Sequence, residues 1–174
     1  MAVSDSTLRR NRSTAFVIAF LVFVFDQATK WVVTYPLNLA GQPDQRIPIT
    51  SFFNLKWVEN TGVSLGLLSA GTEMGRWLLV AMTSAIALFV AVWLWKERRR
   101  DDSTALALIL GGALGNILDR ARLGYVVDFA DLHFGDWRPF LVFNVGDAAI
   151  TIGVLLLLVR ALLMREGRSS KKEA

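Results

Sequence analysis

Four apolar stretches limit what this chain can become. They cover residues 15–33, 77–95, 103–123 and 145–164. Each is close to the roughly 20 residues that carry a helix across a hydrocarbon core. With 53% hydrophobic residues in 174, including 11 Phe and 6 Trp, the chain is too apolar for an ordinary soluble domain. The expectation is a polytopic α-helical membrane protein with four transmembrane helices. It forms one membrane-embedded unit over 1–174, with outer loops at 34–76 and 124–144. Arg9, Arg10 and Arg12 before the apolar run from Ala15 look like the start of a signal peptide. No small-residue cleavage site follows, and the run continues into Asp26, Gln27 and Lys30, so a retained first span is expected.

Lys and Arg orient the spans. Arg9, Arg10 and Arg12 precede the first. Lys96, Arg98, Arg99 and Arg100 separate the second from the third, and Arg160, Arg165, Arg168, Lys171 and Lys172 close the fourth. These groups of three, four and five make twelve of the 19 basic residues, and they mark the cytoplasmic side. Both termini are then inside, which an even number of spans requires. Trp31, Trp77, Trp93 and Trp95 fall near span ends, where interfacial anchors belong. The net charge of +4 reflects this edge clustering and is no sign of a nucleic-acid partner. With no cysteine and His133 as the single histidine, thiolate or multi-His metal sites and a cysteine nucleophile are excluded.

The same orientation sorts the polar groups by depth. The uninterrupted part of the third span would rise only about 21 Å, so its helix must carry Asp119 and Arg120 to the core's edge. Asp26, Lys30, Asn116, Asp119 and Arg120 then lie at the outer ends of spans one and three. Asp147 lies at the outer start of span four, with Asp128 and Asn144 in the outer loop. Ionisable groups at such depth are functional candidates. Two carboxylates in apolar surroundings, Asp128 and Asp147, could share one proton if they approach, one acting as base on water while the other donates to a carbonyl oxygen. Asp147 equally fits a helix N-terminal charge with Asn144 as cap, and Asp128 a solvated loop carboxylate. Arg120 shares a helix face with Asn116 and could pair with Asp119, Asp128 or Asp147. Asp26 and Lys30, four apart in the favourable order, read mainly as a structural pair. Asp131, His133 and Asp136 read as solvated loop residues, and Gly111 and Gly115 as a close-packing pair. In the first outer loop, 47–58 is rich in β-branched and aromatic residues and Val63 to Leu68 continues apolar, so a short strand pair with a helical turn is expected there, packed on the membrane surface. The second loop, 124–134, is similarly extended.

Asp26-Gln-Ala-Thr-Lys30, Asn60-Thr-Gly62, Gly111-Gly-Ala-Leu-Gly-Asn116-Ile-Leu-Asp-Arg120, Val127-Asp128-Phe129 and Phe143-Asn144-Val-Gly-Asp147 occur in the order and spacing of one family. The chain resembles the bacterial lipoprotein signal peptidases (signal peptidase II). The resemblance implies a four-helix inner-membrane aspartic endopeptidase with a small periplasmic β-cradle and a periplasmic helical segment. It implies a diacylglyceryl-modified prolipoprotein substrate, cleaved before the lipidated cysteine, and inhibition by globomycin. It also implies no metal or organic cofactor, and membrane lipid as surroundings. A monomer is expected. By motif the catalytic pair falls on Asp128 and Asp147, while Asp26, Lys30, Asn60, Gly62, Asn116, Arg120 and Asn144 support site and substrate.

Two positions depart from the family pattern. Val63-Ser64-Leu65 stands where Ala-Ala-Phe is usual, which bears on inhibitor binding. Gly146 replaces the usual Ala before the second aspartate, which loosens the helix start. Rival readings are a small proton-coupled membrane carrier and a non-enzymatic scaffold. The carrier would place its carboxylates at the midplane within broken-helix repeats, which this sequence lacks.

Overall fold

The computed structural model describes residues 5–62 and 72–169. Four long helices dominate: α1 (Asp5–Thr34), α2 (Glu73–Lys96), α3 (Arg100–Leu123) and α4 (Val145–Ser169). All four are long and apolar enough to cross a membrane. Their outward faces carry Phe20, Phe25, Leu88, Phe89, Leu155 and Leu163, all exposed in the isolated chain, as a lipid-facing surface must be. Trp31, Trp77, Trp93 and Trp95 are also exposed near helix ends.

Helix α3 is the centre of the bundle. It packs against α1, α2 and α4, whereas α1 and α2 scarcely touch. In its apolar stretch 50% of residues are buried, against 22%, 22% and 17% in the other three. Small residues make this possible, because without a strong hydrophobic drive between helices in lipid, close backbone packing must hold them together. A Cβ on Gly111 would land on the Ala19 carbonyl of α1, and one on Gly112 on the Gly146 carbonyl of α4. One on Gly115 would land on the Asp26 carboxylate. The expected packing role of Gly111 and Gly115 is therefore seen. Around this seam Ala15, Ala19, Ala87, Leu94, Leu106 and Ala107 form the intramembrane core.

A three-stranded antiparallel sheet caps one end of the bundle: β1 (Arg46–Pro48), β2 (Phe53–Asn60) and β3 (Val126–Leu132), in that order. The expected pair in the first loop is the β1–β2 hairpin. The extended second loop adds β3, with Val58 opposite Asp128 and Asn60 opposite Val126, and a register shift between Leu55 and Val58. Val127 and Phe129 pack with Val33, Leu39 and Trp57 under the sheet. Period-two alternation then turns Asp128 to the opposite face. Two short 3-10 turns, Leu39–Gly41 and Pro43–Gln45, lead into the sheet. The apolar stretch Val63 to Leu68 of the same loop lies outside the described residues.

The α3 terminus is held from outside. Gly124 ends the helix, its N–H donating to the Arg120 carbonyl. The Arg76 guanidinium, from the first turn of α2, donates to the carbonyls of Arg120 (2.9 Å) and Ala121 (2.6 Å). Cationic groups at a helix C-terminus satisfy otherwise orphaned acceptors and oppose the macrodipole.

Gly112→Val should force α3 and α4 apart and lower stability by about 1–3 kcal/mol, the usual cost of overpacking. The check is thermal melting in detergent beside Leu155→Val on the lipid face. Equal shifts would deny the close seam.

Candidate active site

The start of α4 organises the site. The Asn144 side chain caps the helix by accepting from the Asp147 N–H (2.9 Å), and the Asn144 N–H donates back to Asp147 Oδ2 (3.3 Å). This reciprocal arrangement is a capping box built from Asn and Asp. The remaining donor of Asn144, its Nδ2, reaches Asp128 Oδ1 on β3. One residue thus ties Asp128 to Asp147, and the helix-cap role of Asp147 coexists with its place beside a second carboxylate. Asp128 also accepts from Asn60 Nδ2 (3.0 Å). Asn60 closes a tight turn through its own Oδ1, which accepts from the Gly62 N–H (3.0 Å). Gly62 has φ +94°, and a Cβ there would press on Leu79, so glycine is required.

On the other side Asn116 Nδ2 donates to Asp147 Oδ1 (2.8 Å). Asn116 Oδ1 in turn accepts from Lys30 Nζ (3.0 Å). Lys30 pairs with both Asp26 and Asp119 at 2.8 Å, so three acceptors surround its ammonium. Asp26 Oδ1 accepts from the Gly146 N–H (2.8 Å), linking this cluster to the first turn of α4. Asp119 accepts from Gln27 Nε2 (3.0 Å) and the Val127 N–H (3.3 Å), linking α3 to α1 and β3. Asp26, Lys30, Asn116, Asp119, Asp128 and Asn144 are buried, whereas Asp147, Arg120 and Asn60 are part-exposed and form the open side.

Arg120 pairs with no carboxylate among the described residues, and its buried Nε has no hydrogen-bond partner there. Asp147, Asp128 and Asp119 are the carboxylates within electrostatic reach. Outside the spans, burial first and the neighbouring Asp147 second push the Asp128 carboxyl up to about 6, against the lowering effect of its hydrogen bonds from Asn60 and Asn144.

All nine residues singled out by motif come together here. The pattern underrated Asp119 and Gln27, although Asp119 sits three residues after Asn116 on one helix face and could have been found by that spacing. The Asp26–Lys30 pair exists and is also the root of the chain that ends on Asp147. One expectation is corrected: Asp131 is not solvated. It is 1% exposed, takes an ion pair from Arg138 (3.3 Å) and lies opposite Asn54, whose side chain also meets His133 (2.7 Å). The strand pairing that buries Asp131 is long-range and leaves no local signature. At Gly146 a Cβ would lie 2.9 Å from the Gly112 carbonyl, so the departure from Ala suits the close α3–α4 approach. Val63-Ser64-Leu65 lies outside the described residues.

A four-span bundle with two hydrogen-bonded carboxylates at one end, Asp128 buried and Asp147 part-exposed, fits a polytopic membrane enzyme, and the carrier reading, which needs midplane carboxylates, finds no support. The signal peptidase (SPase) II family model matches residues 18–163. A lipoprotein signal peptidase from Sphingopyxis alaskensis is 59% identical over 150 residues, 86% of each chain. Another from Rhizorhabdus wittichii is 56% identical over 156 residues, 90% of each. Among solved structures, a bacterial membrane enzyme determined by the in meso method superposes with a TM-score of 0.73 at 29% identity, covering 93% of both chains. The chain belongs to the signal peptidase II family and is a membrane protease.

Lys30→Met would leave Asp26 and Asp119 buried without their cation. Breaking such a cluster from one side costs about 3–5 kcal/mol. Denaturation in detergent should show that loss, and a variant as stable as the parent would mean that the cluster is hydrated.

Proposed function

We propose that Asp128 and Asp147 are the catalytic pair with which this protein removes the signal peptide from diacylglyceryl-modified prolipoproteins. The observation that carries the assignment is the Asn144 bridge: one residue, at a helix start, donates to both carboxylates, through its side-chain Nδ2 to Asp128 and through its backbone N–H to Asp147. A water held between them loses a proton to the ionised carboxylate and attacks the carbonyl before the lipidated cysteine. The protonated partner donates to the carbonyl oxygen. Collapse of the tetrahedral intermediate breaks the C–N bond, with a proton passing to the departing amine. The products are a signal peptide ending in a carboxylate and a lipoprotein beginning with its lipidated cysteine. Water and two carboxylates suffice for this chemistry.

The other residues take positioning roles. Asn60, Asn116 and Asn144 orient the carboxylates, and Gly62 shapes the turn that presents Asn60. Asp26 and Lys30 hold Asn116 in place. Arg120, part-exposed and in no ion pair among the described residues, receives the substrate backbone. The substrate crosses in extended form with the loop strands as neighbours. Its acyl chains stay in the outer leaflet. The distribution of Lys and Arg supports an inner-membrane location with both termini cytoplasmic and the site at the periplasmic face. Globomycin-type inhibitors would compete at this site.

Asp128→Asn and Asp147→Asn should each lower turnover of a diacylglyceryl-modified prolipoprotein by about 10²–10⁴-fold or more with melting intact. Retained turnover in either would remove that residue from the pair.

The pH dependence follows from Asp128. Its folded pKa lies above the ordinary value of about 3.9, so its proton stabilises the fold below about pH 4. That contribution is lost as pH rises through about 6. The pair works with one proton, so kcat/KM should fall on the alkaline side with an apparent pKa about 6 that belongs to the pair. In Asp147→Asn one cause of the elevation is gone, and infrared titration should find Asp128 lower. A flat profile across that range would contradict the shared proton.

A further inference from the structure

Helix α2 carries none of the residues placed in the site, yet its outer end reaches the site twice. Leu79, which is buried, stands against Gly62 in the turn that presents Asn60. About one helical turn earlier, Arg76 reaches α3. Its Nε donates to the Arg120 carbonyl (2.9 Å) and its Nη2 to the Ala121 carbonyl (2.6 Å). A planar guanidinium fork is shaped to hold two successive carbonyls at once, which an ammonium on a flexible stem is not. The first turn of α2 fixes the fork in turn. Thr72 caps it by accepting from the Gly75 N–H (3.1 Å), and the Thr72 carbonyl accepts from the Arg76 N–H (3.0 Å).

The position of Arg76 matters because of what it holds. No ion pair among the described residues and no hydrogen bond at Nε fixes the head group of Arg120. Where that side chain points is therefore set largely by the backbone from which it springs. That backbone is the last turn of α3, the part of a helix whose carbonyls lack intrahelical partners. The Arg120 carbonyl takes the Gly124 N–H (3.2 Å) as well as Arg76, so the helix end and the corner into β3 share one anchor. Gly124 turns that corner with φ +89°, and Arg76 Cδ lies 3.8 Å from where its Cβ would be. Asp128 follows in β3, but it is held separately by Asn60 and Asn144. Loss of the anchor would loosen Arg120 first.

We propose that Arg76 is a positioning residue for the cleavage reaction: by pinning the last turn of α3 it aims the Arg120 guanidinium at the substrate backbone. The inference rests on the reading of Arg120 as the group that receives that backbone. Arg76 spends its side-chain hydrogen bonds on α3 and acts on the reaction only through Arg120. A cap that merely stabilised the bundle would change the fraction of folded protein, which lowers kcat and leaves KM as it was. A misaimed Arg120 weakens substrate binding in every folded molecule and so raises KM.

The test measures kcat and KM for a diacylglyceryl-modified prolipoprotein with the full chain, Arg76→Gln, Arg76→Lys, Arg120→Lys and the double variant Arg76→Gln with Arg120→Lys, each also melted in detergent. Arg76→Gln should lower kcat/KM by about ten- to a hundredfold, chiefly through KM, as small misplacements of substrate-positioning groups do. In the Arg120→Lys background the same change should cost much less, because its effect passes through Arg120. Arg76→Lys keeps a cation at the helix C-terminus and should restore melting more than it restores KM. If Arg76→Gln is too unstable to assay, Arg76→Lys takes its place in the cycle. If Arg120→Lys is inactive, the cycle is read as prolipoprotein affinity in the Asp128→Asn protein. A loss in kcat alone, or equal losses with and without Arg120→Lys, would make Arg76 a structural cap and overturn the proposal. Cleavage by Arg120→Lys as fast as by the parent would overturn the substrate-receiving role of Arg120 and this inference with it. A defect in Arg120→Lys beside an unchanged KM in Arg76→Gln overturns the inference alone.

Discussion

The ammonium of Lys30 is the group on which the rest depends. It is buried, and it is neutralised by Asp26 and Asp119 from two different helices. Its third contact, to Asn116 Oδ1, has a directional consequence. An amide that accepts through oxygen must present its NH₂ elsewhere, and for Asn116 that direction is Asp147. The same logic recurs twice. Asn144 has its oxygen engaged by the Asp147 N–H and turns its NH₂ to Asp128. Asn60 has its oxygen engaged by the Gly62 N–H and also turns its NH₂ to Asp128. Three asparagines, each locked at the oxygen by a fixed donor, aim donors at the two carboxylates. Such locking is what preorganises a site, since the supporting groups cannot relax toward other partners.

The charge balance makes full ionisation of the cluster costly. Asp26, Asp119, Asp128 and Asp147 face two cations, Lys30 and Arg120. Lys30 is ion-paired with Asp26 and Asp119 and reaches Asp128 only at longer range, while Arg120 lies within electrostatic reach of both members of the other pair. In a poorly solvated setting two adjacent carboxylates without an ion-paired cation among the described residues do not both ionise readily. The elevation of Asp128 to about 6 is the expected consequence. The hydrogen bonds from Asn60 and Asn144 oppose it, because they favour the ionised form.

Much of this was legible in the sequence, for a physical reason. A bilayer imposes length on helices and a cost on charge, so spans and unusual polar groups stand out without any alignment. Four spans, their ends and the gathering of Asp26, Lys30, Asn116, Arg120 and Asp147 at one depth follow from that alone. The joining of Asp128 to Asp147 does not. They are separated by a loop, and only the resemblance in motif pointed to their meeting. The loops obey no such constraint. That β3 adds to the β1–β2 hairpin, and that this buries Asp131 against Asn54 and Arg138, depends on pairing across some seventy residues of sequence. Asp119 was visible only as one of three candidate partners of Arg120, its neighbour in sequence, whereas its neighbour in space is Lys30.

Gly146 shows how membrane packing and chemistry are made from the same contacts. Its N–H donates to Asp26, its carbonyl lies where a side chain on Gly112 would be, and its neighbour in sequence is Asp147. The seam between α3 and α4 therefore fixes the start of α4 and hence the position of Asp147 relative to Asn116. A bundle without these small residues would separate the helices, lengthen the Asn116 hydrogen bond and release the capping box that Asn144 builds. In a soluble enzyme a large core could hold the site despite such a change. Here the outward faces meet lipid and offer little preference for one helix arrangement over another. The precision of the carboxylate pair must then come from the small-residue seam and the buried ions themselves, and Gly115 and Gly146 stand directly beside Asn116 and Asp147.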